Sequence, residues 1–113
     1  MRPKGSGAYY ACKIERISAT HAAILMVLAA HPRERYTRSK IAYLLAKKGV
    51  HLKDDTISGR LSELLGLGYV SMTHERVRVL DKKSMTYRFV RKPLWQITEE
   101  GLKALREWIL ENA

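Results

Sequence analysis

Asp54–Val70, DDTISGRLSELLGLGYV, decides the fold. Two carboxylates and a threonine open it, groups that suit a helix start, where free N–H groups favour acceptors and negative charge. Ile57, Leu61, Leu64 and Leu65 recur at spacings of three and four, which places them on one helical face. The other face carries Thr56, Ser58, Gly59, Ser62 and Glu63, with Arg60 at the border. These groups are short and mostly uncharged, so the helix can lie close against a polar surface. Gly66 and Gly68 stop the helix, and Tyr69-Val70 begins something extended.

Upstream, Thr37 is placed to cap a helix running to about Lys48, with Ile41, Leu44 and Leu45 as its buried stripe. Lys47 and Lys48 suit the negative end of the helix dipole, and Gly49 follows as a C-cap. Only Val50 to Lys53 separate this helix from the one at Asp54. Two helices joined by a short glycine-containing turn, the second with small polar groups near its start, are the ingredients of a helix-turn-helix. Before them lies Ala22–Ala30, AAILMVLAA, capped by Ser18 or Thr20 and ended by His31-Pro32. It is too short to span a bilayer. Lys13, Glu15 and Arg16 precede it closely, so it reads as a core helix covered on more than one side rather than as a secretion signal. Residues 8–17 are helical in composition.

Downstream, Tyr69–Met72, Arg76–Leu80, Met85–Val90 and Leu94–Ile97 read as strand segments of a long β-hairpin, with a polar turn at Asp81–Ser84. Arg76, Arg78, Lys82, Lys83, Arg88, Arg91 and Lys92 stand against only Glu75 and Asp81, which gives this hairpin half of the chain's net charge of +10. Tyr87 and Phe89 are interleaved with the cations. Basic charge concentrated on one projecting element, directly after the small polar helix, favours contact with phosphates or a groove. Thr98 then caps a last helix with Glu99 and Glu100 in its first turn. Leu102, Leu105 and Ile109 form its stripe; Trp108 and Leu110 lie off it, to be covered by the N-terminal helix or by a second chain.

The whole chain of 113 residues is the size of one domain, and its 21 Lys and Arg against 11 Asp and Glu point to a polyanionic partner. Cys12 is the single cysteine, which excludes an internal disulfide framework and any cysteine-rich zinc site. It is a free thiol or a bridge between two copies. The four histidines are not at metal-ligand spacing and read as surface or structural groups. No metal or cofactor is expected, and any small-molecule effector is unspecified. Gln96 and Asn112 are the only side-chain amides, a weak sign of a hot-growing source.

The element order of helix, helix, turn, helix, two-stranded hairpin and helix resembles a winged helix-turn-helix domain of the MarR and PadR groups of prokaryotic regulators. Thr56-Ile57-Ser58, followed by Leu61, Leu64, Gly68, Tyr69 and Val70, is similar to their recognition helix and its exit into the wing. Trp95-Gln96-Ile97-Thr98-Glu99-Glu100-Gly101 is similar to the aromatic-x-Leu-Thr-Glu-x-Gly signature that leaves the wing. The likeness covers roughly residues 18–110. MarR proteins carry long dimerisation helices and PadR proteins a long C-terminal one, whereas this sequence ends shortly after Trp108. Small archaeal and archaeal-virus regulators are similarly short. The resemblance implies an α+β, mostly α fold: a three-helix core, a two-stranded wing and a C-terminal helix. Residues 1–7 are expected to be a flexible basic tail and residues 8–113 a single winged-helix domain.

By the same resemblance the helix from Asp54 enters the major groove. Thr56, Ser58, Gly59, Arg60 and Ser62 are the expected base-reading positions, Arg60 being able to read guanine with two hydrogen bonds. Phosphate contacts are expected from Arg38, Lys40, Lys53 and the wing residues Arg76, Arg78, Lys82, Lys83, Arg88, Arg91 and Lys92. Cys12, Trp108 and Leu110 are candidates for a homodimer contact. The expected function is sequence-specific binding of double-stranded DNA in transcription regulation, in the cytoplasm or on the nucleoid, or in a host cell for a viral protein. Sequence-neutral nucleic-acid binding within a larger complex is the alternative, and a winged-helix protein-interaction module a second. No membrane association is expected. No nucleophile–base order, phosphate loop or metal cluster suggests an enzyme, and Glu63 and Glu75 read as surface charges.

Overall fold

The computed structural model describes residues 17–113. The expected tail at residues 1–7, the helical stretch before Ile17 and Cys12 lie outside the described residues. Six elements follow in order: α1 (Ala19–Ala29), α2 (Arg38–Lys47), α3 (Asp54–Leu67), β1 (Val70–Asp81), β2 (Thr86–Ile97) and α4 (Glu99–Glu111).

Helix α1 is the centre of the packing. Ala22, Ile24, Leu25, Val27 and Leu28 are fully buried or nearly so, because α1 meets α2, α3, α4 and β2. A helix apolar around most of its circumference needs such all-round cover. Ser18 is its cap: the Ser18 hydroxyl accepts from the His21 amide, while the His21 ring accepts from the Ser18 amide at Nδ1 (2.9 Å). Histidine here fills the position that Glu or Gln takes in the usual capping box. Thr37 caps α2 through Lys40 N, and the α2–α3 turn passes through Gly49 at φ +85°.

Helix α3 buries Ile57, Leu61 and Leu64 completely, but Leu65 is exposed. The buried arc is narrower than the spacing suggests, since α3 is covered on one side only. Asp54 and Asp55 lie inside the first turn rather than at the cap, which is Lys53 without a side-chain bond. Gly66 continues the helix, and Gly68, at φ +81°, ends it. A left-handed C-cap of this kind favours glycine.

Strands β1 and β2 are continuous across twelve paired positions, from Val70↔Ile97 to Asp81↔Thr86. The segments separated by Thr73–Glu75 and by Arg91–Pro93 in the sequence reading are therefore single strands. Pro93 is tolerated because its missing N–H falls on the outer edge. Two residues on, Trp95 N donates outward to Tyr36 O (2.8 Å) and Tyr36 N returns the bond to Trp95 O (2.8 Å). Alternation along a strand puts position 93 on that same side. The hairpin is closed by Lys82, Lys83, Ser84 and Met85, with Met85 at φ +57° in the turn rather than in the strand.

Helix α4 turns inward through Gly101, Leu105 and the half-buried Leu102 and Trp108, whereas Ile109 is exposed. The stripe is thus Leu102-Leu105-Trp108. Its start is fixed by Thr98, whose hydroxyl accepts from Gly101 N (3.0 Å) and donates to Gly68 O (2.7 Å), while Thr98 N donates to Tyr69 O (3.0 Å). This packs the first turn of α4 on the end of α3. A Cβ on Gly101 would run into the Tyr69 carbonyl and lie 2.9 Å from Ile97 Cγ1. Gly101→Ala is expected to lower stability by about 2 kcal/mol, within the usual range for overpacking, read as a shifted urea midpoint with an unchanged m-value.

Candidate nucleic-acid interface

Helix α3 presents Asp55, Gly59, Ser62 and Gly66 outward, with Ser58 half-buried on the flank nearer α2. Thr56 and Arg60 lie on the opposite flank, by the 100° step of the helix. The five expected base-reading positions therefore do not share one face. Ser58, Gly59 and Ser62 form a contiguous surface; Arg60 turns toward Glu63, which is bonded to His21 of α1.

Arg60 is engaged within the protein. Its Nη1 bonds to Glu63 Oε1, and the same oxygen is 2.7 Å from His21 Nε2. His21 is only 4% exposed. Because the Ser18 amide occupies Nδ1, the ring proton belongs on Nε2, which donates to Glu63. Burial alone would raise the Glu63 pKa, but the bonds from Arg60 and His21 outweigh it and hold the carboxyl below the ordinary glutamate range. Glu63 is thus the link between α1 and α3 rather than a surface charge. The Arg60/Glu63 spacing is legible in the sequence; the partner 42 residues away is not. Glu75 is also paired, with Arg35 of the α1–α2 connector.

On the other flank, Arg38 opens α2. Its Nη1 donates to Ser58 Oγ (3.1 Å), and its Nη2 lies 3.7 Å from Asp54 Oδ2. A cleft of about 240 Å³ is lined by Thr37, Arg38 and Ser39 of α2 and its cap, Ser58 and Leu61 of α3, and Lys92, Pro93 and Trp95 of β2. The root of the hairpin therefore stands beside the Ser58 flank of α3. The Trp95 indole Nε1 is buried here without an acceptor.

Farther out, Arg76, Arg78 and Leu80 share one face of the hairpin with Arg91, Phe89 and Tyr87, directly opposite in register. Phe89 and Tyr87 are 59% and 60% exposed. The Arg76 guanidinium lies 5.3 Å from the Phe89 ring centre and that of Arg78 4.4 Å from the Tyr87 ring. Lys82 and Lys83 occupy the tip, and Arg88 and Lys92 the other face. Lys40 is exposed on α2, 6.0 Å from the Tyr43 ring, and Lys53 is exposed at the α3 cap. Trp108 packs on the core, whereas Leu110 is 74% exposed. Among the described residues there is no cluster of His, Cys, Asp or Glu suited to a metal ion, and no helix long and apolar enough to cross a membrane.

Three helices with a helix-turn-helix, an antiparallel hairpin after α3 and a closing helix define a winged helix-turn-helix fold. Solved structures with this fold include Bacillus subtilis PadR in complex with operator DNA, at 16% identity and TM-score 0.62, over 81% of this chain and 47% of that one. A PadR family transcriptional regulator from Eggerthella lenta matches at 20% identity and TM-score 0.60, over 81% and 72%. The complex structure of hsRosR matches at 22% identity and TM-score 0.58, over 95% and 80%. The chain thus spans less than half of the Bacillus subtilis protein, and likeness at this identity establishes the fold. No protein-family model and no curated protein matches the sequence.

The low Glu63 pKa has a defined sign. The folded protein holds this proton more weakly than the unfolded chain, so the stabilisation is complete above the unfolded value and is lost as pH falls through the folded one. Glu63→Gln is expected to lower the melting temperature near pH 7, with the gap to the native chain narrowing below about pH 4.3, the ordinary glutamate value. Thermal melts at stepped pH measure this.

Proposed function

We propose that this chain is a sequence-specific regulator of transcription that binds double-stranded DNA, with α3 in the major groove and the cationic hairpin as a wing on phosphates or in the minor groove. The observation that carries the reading is the adjacency of the wing root to the Ser58 flank of α3 across the cleft shared with Arg38. One surface then offers a small, nearly neutral helix and a basic ribbon to the same partner. Bacillus subtilis PadR, which shares the fold, was solved with operator DNA. No enzymatic activity and no cofactor are proposed.

Two further features support a duplex as the partner. Arg76 and Arg91 stand directly opposite one another in the ribbon. Like charges so placed are unfavourable unless an anion lies between them. Gly59 sits in the middle of α3, and a Cβ built on it would meet nothing within 4 Å. A mid-helix glycine costs about 0.5–1 kcal/mol relative to alanine, and no packing among the described residues requires it. Close approach of an outside surface would account for it.

We further propose a homodimer acting on a palindrome, with half-sites about 34 Å apart. Its contact surface includes the exposed end of α4 around Leu110; Cys12 and Trp108 are the other candidate contacts. The location that follows is the cytoplasm, on the nucleoid.

Gly59→Ala should raise stability by about 0.5–1 kcal/mol and weaken duplex binding, a pair of opposite effects read by thermal melting and by titration with a labelled duplex. A stabilised variant that binds unchanged would mean that Gly59 does not face DNA. Replacing Arg76, Arg78, Lys82 and Lys83 together by alanine should weaken binding to all duplexes and flatten its salt dependence, by about 0.9 in log–log slope for each phosphate no longer neutralised. An unchanged affinity and slope would remove the wing from the DNA interface. Equal affinity of the native chain for random and selected duplexes would favour sequence-neutral binding.

A further inference from the structure

We infer that Arg38, rather than Arg60, is the arginine that reads a base, and that Asp54 is the residue that positions it. This rests on the duplex-binding reading above. Both arginines flank α3, and both have the planar fork that matches the two acceptors on the major-groove edge of guanine. Their surroundings differ.

Arg60 faces α1. Its guanidinium is bonded to Glu63, half-buried, beside the buried His21. Turning it toward a base would remove one of the two donors that hold the Glu63 carboxylate charged. Arg38 faces the other way, into the cleft between α3 and the wing root. Asp54 and Ser58, one turn apart on α3, touch its two terminal nitrogens at 3.7 and 3.1 Å. The guanidinium is thereby laid across the first turns of α3, with at most two of its five N–H donors engaged. The others stay available at the surface, where Arg38 is 44% exposed.

Charge separates base reading from phosphate binding. A phosphate contact draws on net positive charge. Asp54 stands beside Arg38 and offsets much of that charge. The directional fork is unaffected, so what remains favours a neutral, geometrically fixed acceptor pair over a phosphate. Arg38 also offsets the repulsion that Asp54 would otherwise exert on the backbone.

The test begins with duplexes selected from a random pool by the native chain. Native chain, Arg38→Ala, Arg38→Lys and Asp54→Asn are then titrated against the selected duplex, its single-position variants and random duplex over a range of salt. Circular dichroism checks each fold. For the native chain, changing one guanine should weaken binding about 5- to 150-fold. Arg38→Ala and Arg38→Lys should both lose discrimination at that position alone. Arg38→Lys keeps the charge but not the fork, so its random-duplex affinity and salt slope should stay close to native; Arg38→Ala also leaves Asp54 unpaired and should weaken random-duplex binding, by a smaller factor than it weakens binding to the selected duplex. Asp54→Asn should blunt discrimination at the same position and tighten random-duplex binding. Equal weakening on every duplex, with the salt slope reduced by about one contact, would make Arg38 a phosphate ligand and overturn the inference. So would discrimination that survives Arg38→Lys at every position. If the native chain binds no duplex, the regulator reading fails and this inference falls with it.

Discussion

The structure depends on covering α1. A helix buried along Ala22, Ile24, Leu25, Val27 and Leu28 cannot stand at a surface, and α2, α3, α4 and β2 all meet it. Burying one large aliphatic side chain contributes about 1.5–3 kcal/mol, so these positions together outweigh any single polar contact in the chain. That cover also fixes directions. With Ile57, Leu61 and Leu64 pressed inward, Ser58, Gly59 and Ser62 face partly or wholly outward. With Trp95 and Ile97 held in the core, the ribbon they begin projects from beside the same helix.

Polar contacts then set what the apolar core cannot. Helix rotation about its own axis changes burial little over a few degrees, but it breaks specific bonds at once. Glu63 with His21 ties one flank of α3 to the start of α1, and Arg38 with Ser58 ties the other flank to the start of α2. Thr98 fastens the end of α3 to the start of α4 through Gly68 and Tyr69. Each of these links joins a helix end to a neighbour. The orientation of α3 is therefore held at several points along its length.

Much of this is legible in the sequence. The four described helices and the hairpin, the caps at Thr37 and Thr98 and the core positions on α1 follow from periodicity and from cap chemistry, both local properties. Sequence and structure part where an element is covered less, or differently, than an isolated pattern implies. Leu65 and Ile109 fit the spacing of a buried stripe but stay exposed, while Trp108 turns inward. Arg91–Pro93 reads as a strand break, yet the proline lies on an unpaired edge and the ladder runs past it. The site is legible in composition and not in geometry. The i,i+3 spacing of Arg60 and Glu63 is local, but nothing local shows that Glu63 is also bonded to His21, or that Arg38 is aimed across at Asp54 and Ser58 of a neighbouring helix.

The proposed division of affinity and selectivity between elements follows from how the wing is held. A lone two-stranded ribbon is marginal in water. Here its root is secured by Leu94, Trp95 and Ile97 and by the bridge to Tyr36, but beyond Lys92 it has, among the described residues, only its own cross-strand pairs. Arg76 and Arg78 stack on Phe89 and Tyr87, which orders the guanidiniums without neutralising them. Such a ribbon can adjust to a backbone while keeping its charge, which suits a contact that carries no sequence information. The surface of α3 has the opposite character: several internal bonds, little net charge beside Asp54 and Arg38, and a glycine that leaves room. A surface with little charge gains little from proximity to phosphates alone. It gains when its donors meet matching acceptors, and the rigidity supplied by the core and the helix-end bonds is what makes such a match selective.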